Sequence, residues 1–80
     1  MTPGQAQQAA RRLVRQLIDE RESRGLSLLE MAREAGLDPS GVADNEQGRS
    51  LPRLTTIIRL ADALGWDVRL VERADEGVVP

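Results

Sequence analysis

The chain contains no cysteine, histidine, tyrosine or phenylalanine, and all of its 11 basic residues are arginine, so lysine is missing as well. Without cysteine there is no disulfide framework, no thiolate metal site and no thiol nucleophile. Without histidine and lysine, imidazole bases, Ser-His triads, Schiff-base chemistry and nearly every transition-metal site fall away. Carboxylates, hydroxyls and guanidinium groups remain, which points to a binding protein that is not an enzyme and uses no cofactor. Trp66 is the only aromatic residue. No apolar run approaches the roughly 20 residues needed to span a bilayer, and the first residues lack the charged-then-apolar order of a signal peptide. A cytoplasmic protein with no membrane partner is the expectation.

What is present fits one small domain. Eighty residues, 40% hydrophobic and 30% charged, can bury only a modest core, and a second copy would add to it. The net charge of -2 is banded along the chain. Residues 1–26 carry five arginines against three acids, and 27–46 carry Arg33 against five acids. Residues 47–60 carry Arg49, Arg53 and Arg59 with no acid, and 61–80 carry two arginines against five acids. Such banding argues against a polycation that coats nucleic acid and for local charged surfaces.

After a loose Met1-Thr2-Pro3-Gly4 start, apolar residues at Ala6, Ala9, Ala10, Leu13, Val14, Leu17 and Ile18 mark a long helix closed by Gly25. Its first two turns project as an arm beyond the core. Ser27 and Glu30 stand at capping-box spacing and open a second helix, which runs to about Ala35 before Gly36 turns the chain and Leu37 drops beneath it. Asp38-Pro39 offers an N-cap followed by proline at the first helical position, so a third helix spans Pro39 to about Glu46. Leu54, Ile57, Ile58, Leu60, Ala61 and Leu64 form the stripe of a fourth helix ending at Gly65. From Trp66 the period becomes two: Trp66, Val68 and Leu70 alternate with Asp67 and Arg69, the pattern of a short strand. A lone strand lacks a ladder, and the simplest partner is the same strand of a second copy about a two-fold axis.

Two short helices joined by a glycine turn, with a long helix before and another after, are the parts of a helix-turn-helix. The run from Gly25-Leu26-Ser27 through Ala32, Ala35-Gly36-Leu37, Val42 and Glu46-Gln47-Gly48-Arg49, with Leu60-Ala61-Asp62-Ala63-Leu64-Gly65, resembles the Cro/C1-type, or Xre-type, DNA-binding domain over residues 13 to 66. Small phage repressors and antitoxins share this size and a trailing strand. The resemblance implies an all-α helix-turn-helix bundle of four to five helices with a short C-terminal β-strand paired across a dimer. It divides the chain into an N-terminal helical extension (1–12), a helix-turn-helix domain (13–65), a dimerisation strand (66–73) and a flexible tail (74–80).

It further implies that the third helix enters the major groove of double-stranded DNA, with Ser40, Gly41, Ala43, Asp44 and Gln47 near base edges. Relatives place Arg, Lys, Gln, Ser or Thr along this helix, whereas this chain has small residues and the acidic Asp44. Arg49 and Arg53 are the first candidates for phosphate contacts, followed by Arg33 and Arg59. Each has a plain structural alternative: Arg33 can pair with Glu30 or Glu34, and Arg59 with Asp62. Arg11, Arg12 and Arg15 form a basic cluster on the first helix, Glu46 is structural, and Trp66, Val68 and Leu70 form the dimer interface. The functional expectation is a repressor-like homodimer on an inverted-repeat operator. The alternatives are an antitoxin paired with a toxin or other regulator, and an interaction module whose acidic 27–46 band docks protein without binding DNA.

Overall fold

The computed structural model describes residues 1–74. Four helices follow in chain order: α1, Pro3–Ser23; α2, Leu28–Ala35; α3, Pro39–Glu46; and α4, Leu54–Ala63. The start of α1 corrects the expectation of a loose terminus. Thr2 Oγ1 accepts from the Gln5 amide at 3.1 Å, Gln5 Oε1 accepts from the Thr2 amide at 2.8 Å, and Pro3 sits in the first turn, where its missing N–H costs nothing. Residues 3–8 of this helix are exposed, and its first buried side chain is Val14.

The same reciprocal cap opens α2. Ser27 Oγ accepts from the Glu30 amide at 3.0 Å, and Glu30 Oε1 accepts from the Ser27 amide at 2.9 Å. These bonds favour the ionised acid and hold the Glu30 carboxyl below its ordinary value, the Ser27 amide contributing most and its hydroxyl next. The helix stops at Gly36, whose φ of +69° lies in the left-handed region. The Leu37 amide then donates back to Ala32 O at 2.8 Å, and the Leu37 side chain packs against the core. Asp38 opens α3 directly afterwards by accepting from the Ser40 amide at 3.3 Å.

The core is one cluster. Val14, Leu17 and Ile18 of α1 meet Met31, Ala32 and Ala35 of α2, Val42 of α3, and Ile57, Leu60 and Ala61 of α4, with Leu64 closing the end. Ala32 is 0% exposed where α2 packs against both α3 and α4, so no larger side chain fits without displacing a helix. Leu13, Leu54 and Ile58 were expected in the buried stripes and are instead exposed. Their helices carry wider apolar faces than the seams of one four-helix domain can cover.

The short strand expected over 66–73 is not formed among the described residues, where 66–74 have no regular secondary structure. A strand exists only as part of a ladder, and one chain supplies no second strand to pair with. Trp66, Val68 and Leu70, expected at a dimer interface, are accordingly all exposed in the single chain. Residues 75–80 of the expected flexible tail lie outside the described residues.

α3 is weakly anchored by apolar contact alone. Val42 is its one buried side chain, and full burial of a valine contributes only roughly 1.5–3 kcal/mol. A polar clasp adds to this: the Arg21 guanidinium on α1 donates to Glu46 through Nε at 2.9 Å and Nη2 at 2.8 Å, and through Nη1 to Leu26 O at 2.8 Å. The pair is mostly removed from water, with side-chain exposures of 12% and 15%. One side chain thus ties the end of α1, the approach to α2 and the end of α3.

Arg21→Ala, which leaves Glu46 partly buried and unpaired, is expected to lower stability by about 2–4 kcal/mol in urea unfolding. Arg21→Lys should recover less than half of that, because an ammonium cannot make the planar two-pronged contact. Acid should also weaken the fold through Glu30. Its folded value is depressed, so its contribution is complete above the ordinary carboxylate range and is lost as pH falls through the folded value. Glu30→Gln keeps the acceptor but cannot titrate, and it should flatten that part of the acid limb of a stability–pH curve.

Candidate nucleic-acid interface

The helical period places Ser40, Gly41, Asp44 and Gln47 on the outer side of α3, opposite Val42 and Glu46. Ser40, Gly41 and Gln47 are exposed, whereas Ala43 is half-buried and only its edge reaches the surface. A side-chain carbon placed on Gly41 would meet nothing within 4 Å, so the backbone there is open to close approach. The face is flat and small, with hydroxyl, amide and carboxylate groups along it.

Each acid near this face already has a partner. Asp38 caps α3 and also accepts from Ser40 Oγ at 2.8 Å. Asp44 Oδ1 accepts from Arg49 Nε at 3.2 Å. Glu46 is held by Arg21 on the opposite, inner side. Arg49 additionally donates through Nη1 to Gln47 Oε1, and the Gln47 side-chain amide donates to no partner among the described residues. The side chain expected to bind phosphate therefore first neutralises the acid of the reading helix.

The side chains of Arg33 on α2 and Arg53 at the start of α4 are exposed and make no hydrogen bond or ion pair among the described residues, so the alternative pairing of Arg33 with Glu30 or Glu34 does not form. Arg53 occupies the cap position of α4, the one helix of the four whose first turn receives no side-chain cap. The first-turn amides of α4 thus lack a side-chain acceptor and lie next in sequence to a guanidinium, an arrangement suited to a phosphate oxygen.

The alternative pairing of Arg59 with Asp62 does not form among the described residues. Arg59 Nη1 donates to Gly36 O at 3.2 Å, satisfying a carbonyl at the turn between α2 and α3.

Two loop contacts were not foreseen. Asn45 Nδ2 donates to Ser50 O at 3.2 Å and to Ser50 Oγ at 3.1 Å, tying the segment after α3 back to its last turn. Arg11 Nη1 donates to Gly48 O at 3.2 Å, and a side-chain carbon on Gly48 would lie only 3.2 Å from that nitrogen, at a φ of +80°. Of the α1 basic cluster, Arg15 is committed to Asp19 and Glu22, and Arg12 alone has no polar partner among the described residues. The glycine after Gln47 was a visible signal of a turn; the reach of Arg11 across 37 positions was not.

A glycine turn between two short helices, with α4 packed on the first, α1 on the second and a polar face outward, defines a helix-turn-helix unit. The family profile described as Helix-turn-helix matches residues 17–70, and the chain belongs to that family, the Cro/C1-type DNA-binding domains. No curated protein and no solved structure matches it. No helix among the described residues is long and apolar enough to cross a membrane.

Asp44→Asn should release Arg49 and remove a charge that repels phosphate. Affinity for non-specific duplex DNA, read by fluorescence anisotropy at low salt, is expected to rise about three- to tenfold, with the gain shrinking as salt is added.

Proposed function

We propose that the protein is a sequence-specific transcriptional regulator of the repressor type, binding double-stranded DNA as a homodimer at an inverted repeat. Its work is binding, with no reaction and no cofactor. The observation that carries this reading is the arrangement of charge around α3: Asp44 is paired with Arg49 and Asp38 is engaged in the helix cap, while the side chains of Arg33 on the preceding helix and Arg53 on the following one are left without partners among the described residues. Unpaired guanidiniums on both neighbouring elements supply the phosphate contacts that orient the reading helix, and Ser40, Gly41 and Gln47 then face base edges. Arg49 bridges the two functions by holding Asp44 and lying beside the phosphates. Two copies would set their reading helices about one duplex turn apart, roughly 34 Å, which gives the operator its two-fold symmetry.

The same internal pairing weighs against the acidic band over 27–46 as a protein-docking surface. Glu30 closes a cap, Asp38 opens a helix, Asp44 holds Arg49 and Glu46 faces inward against Arg21, so Glu34 is the one acid of that band without a described partner. An antitoxin role remains compatible with DNA binding and predicts a co-purifying partner encoded beside the gene.

Titrating the protein against fragments upstream of its own gene tests the reading. Salt-sensitive binding to at least one fragment is expected, and its absence for every fragment would overturn the proposal. Arg53→Ala should weaken binding to all sequences alike and lower the salt slope by about one phosphate, whereas Gln47→Ala should change which sequence is preferred.

A further inference from the structure

Past Trp66, whose amide still donates to Ala61 O at 2.8 Å, no backbone amide from Asp67 to Ala74 donates a hydrogen bond among the described residues. The segment therefore presents a bare run of donors and acceptors, the condition of an unpaired strand edge. Arg69 Nη2 and Asp67 Oδ2 stand 4.0 Å apart, two positions along the chain. Trp66 and Val68, with Asp67 and Arg69 beside them, line an open groove that Leu13 and Leu17 of α1 and Ile57 and Ala61 of α4 complete. Alternation along an extended chain would place the apolar Trp66, Val68 and Leu70 on one face and the charged Asp67 and Arg69 on the other. Leu70 continues that apolar face beyond the groove and is fully exposed.

We propose that this edge pairs with the same segment of a second copy in an antiparallel ladder centred on Val68. The inference rests on the dimeric part of the reading above and specifies its register. With Val68 on the two-fold axis, Asp67 of each copy stands opposite Arg69 of the other, so both outer pairs join opposite charges. Trp66 of each copy stands opposite Leu70 of the other, which carries Leu70 onto the apolar groove of the neighbouring copy and accounts for its lack of cover in one chain. Neighbouring registers lose these matches. Centring on Asp67 or on Arg69 sets a like-charged pair face to face, and centring on Leu70 puts Val68 opposite Glu72. The occupant of the groove is thus a second copy, because the segment is complementary in charge and in apolar pattern to itself in one arrangement.

The cysteine-free chain makes the register directly measurable. Residues facing each other across an antiparallel ladder have Cα atoms about 4.5–5.5 Å apart, inside the range a disulfide spans, whereas identical residues one place off the axis are separated by more than about 7 Å. Under mild oxidation the full-length Val68→Cys protein should become a disulfide-linked dimer. Asp67→Cys and Arg69→Cys should each fail to link to themselves and should link to one another when mixed. Asp67→Arg should weaken dimerisation about tenfold by sedimentation equilibrium, and Asp67→Arg combined with Arg69→Asp should restore it, with circular dichroism confirming that each variant is folded. A dimer that links at Arg69→Cys alone, or that is unaffected by the charge reversal, overturns the register and leaves the dimeric reading standing. A chain that sediments as a monomer at all concentrations overturns both. Neither result touches the DNA-binding test, which reads salt-sensitive binding by the same protein.

Discussion

The Arg21–Glu46 clasp is the interaction on which the placement of the reading helix depends. α3 has eight residues and one buried side chain, too little apolar contact to fix its orientation by itself. Hydrophobic contact is also non-directional, and a sliding α3 would keep Val42 buried over a range of positions. A guanidinium fork is directional: two parallel bonds to one carboxylate fix distance and rotation together, and the third bond to Leu26 O fixes the fork itself. Low exposure keeps the pair from being screened as a surface pair would be, at the cost of the desolvation that makes either partner harmful alone.

A second theme is the internal neutralisation of acid. By charge count residues 27–46 are the most acidic part of the chain, a poor composition for a surface that meets phosphate. The fold assigns most of those carboxylates to internal tasks. Asp38 and Glu30 complement the positive N-terminal ends of α3 and α2, Glu46 turns inward, and Asp44 is covered by Arg49 from the next turn. Charge along a sequence and charge presented on a face are different quantities. The helix-turn-helix here offsets part of its acidity by pairing Asp44 and Glu46 with arginines instead of replacing the acids.

Much of the fold was legible because its signals are local. Ser27 with Glu30, Gly36 with Leu37 and Asp38 with Pro39 mark helix ends through contacts within a few residues, and the observed bounds of α2 and α3 follow them. The Thr2-Pro3-Gly4-Gln5 cap carries the same kind of local signal, and its two reciprocal bonds hold the start of α1 in helix. Arginine partners were poorly legible. Arg59 reached Gly36 O and Arg11 reached Gly48 O, each over a sequence separation that spacing rules for helical pairs do not address. Leu13, Leu54 and Ile58 carried the correct period for burial, but period identifies a face and not whether anything covers it.

By itself, then, the sequence determined the four helices, their caps and turns and the seam they bury, since these follow from propensity, hydrogen bonding and periodicity over short distances. It also determined the alternation after Gly65, though alternation without a ladder makes no strand. Only the tertiary structure decided which guanidiniums are consumed in holding the fold and which stay free to meet an anion. Spacing encodes the i,i+4 pairs Arg15–Asp19 and Arg24–Glu20, but the contacts of Arg21 with Glu46, Arg11 with Gly48 and Arg59 with Gly36 join distant positions that only packed helices bring together.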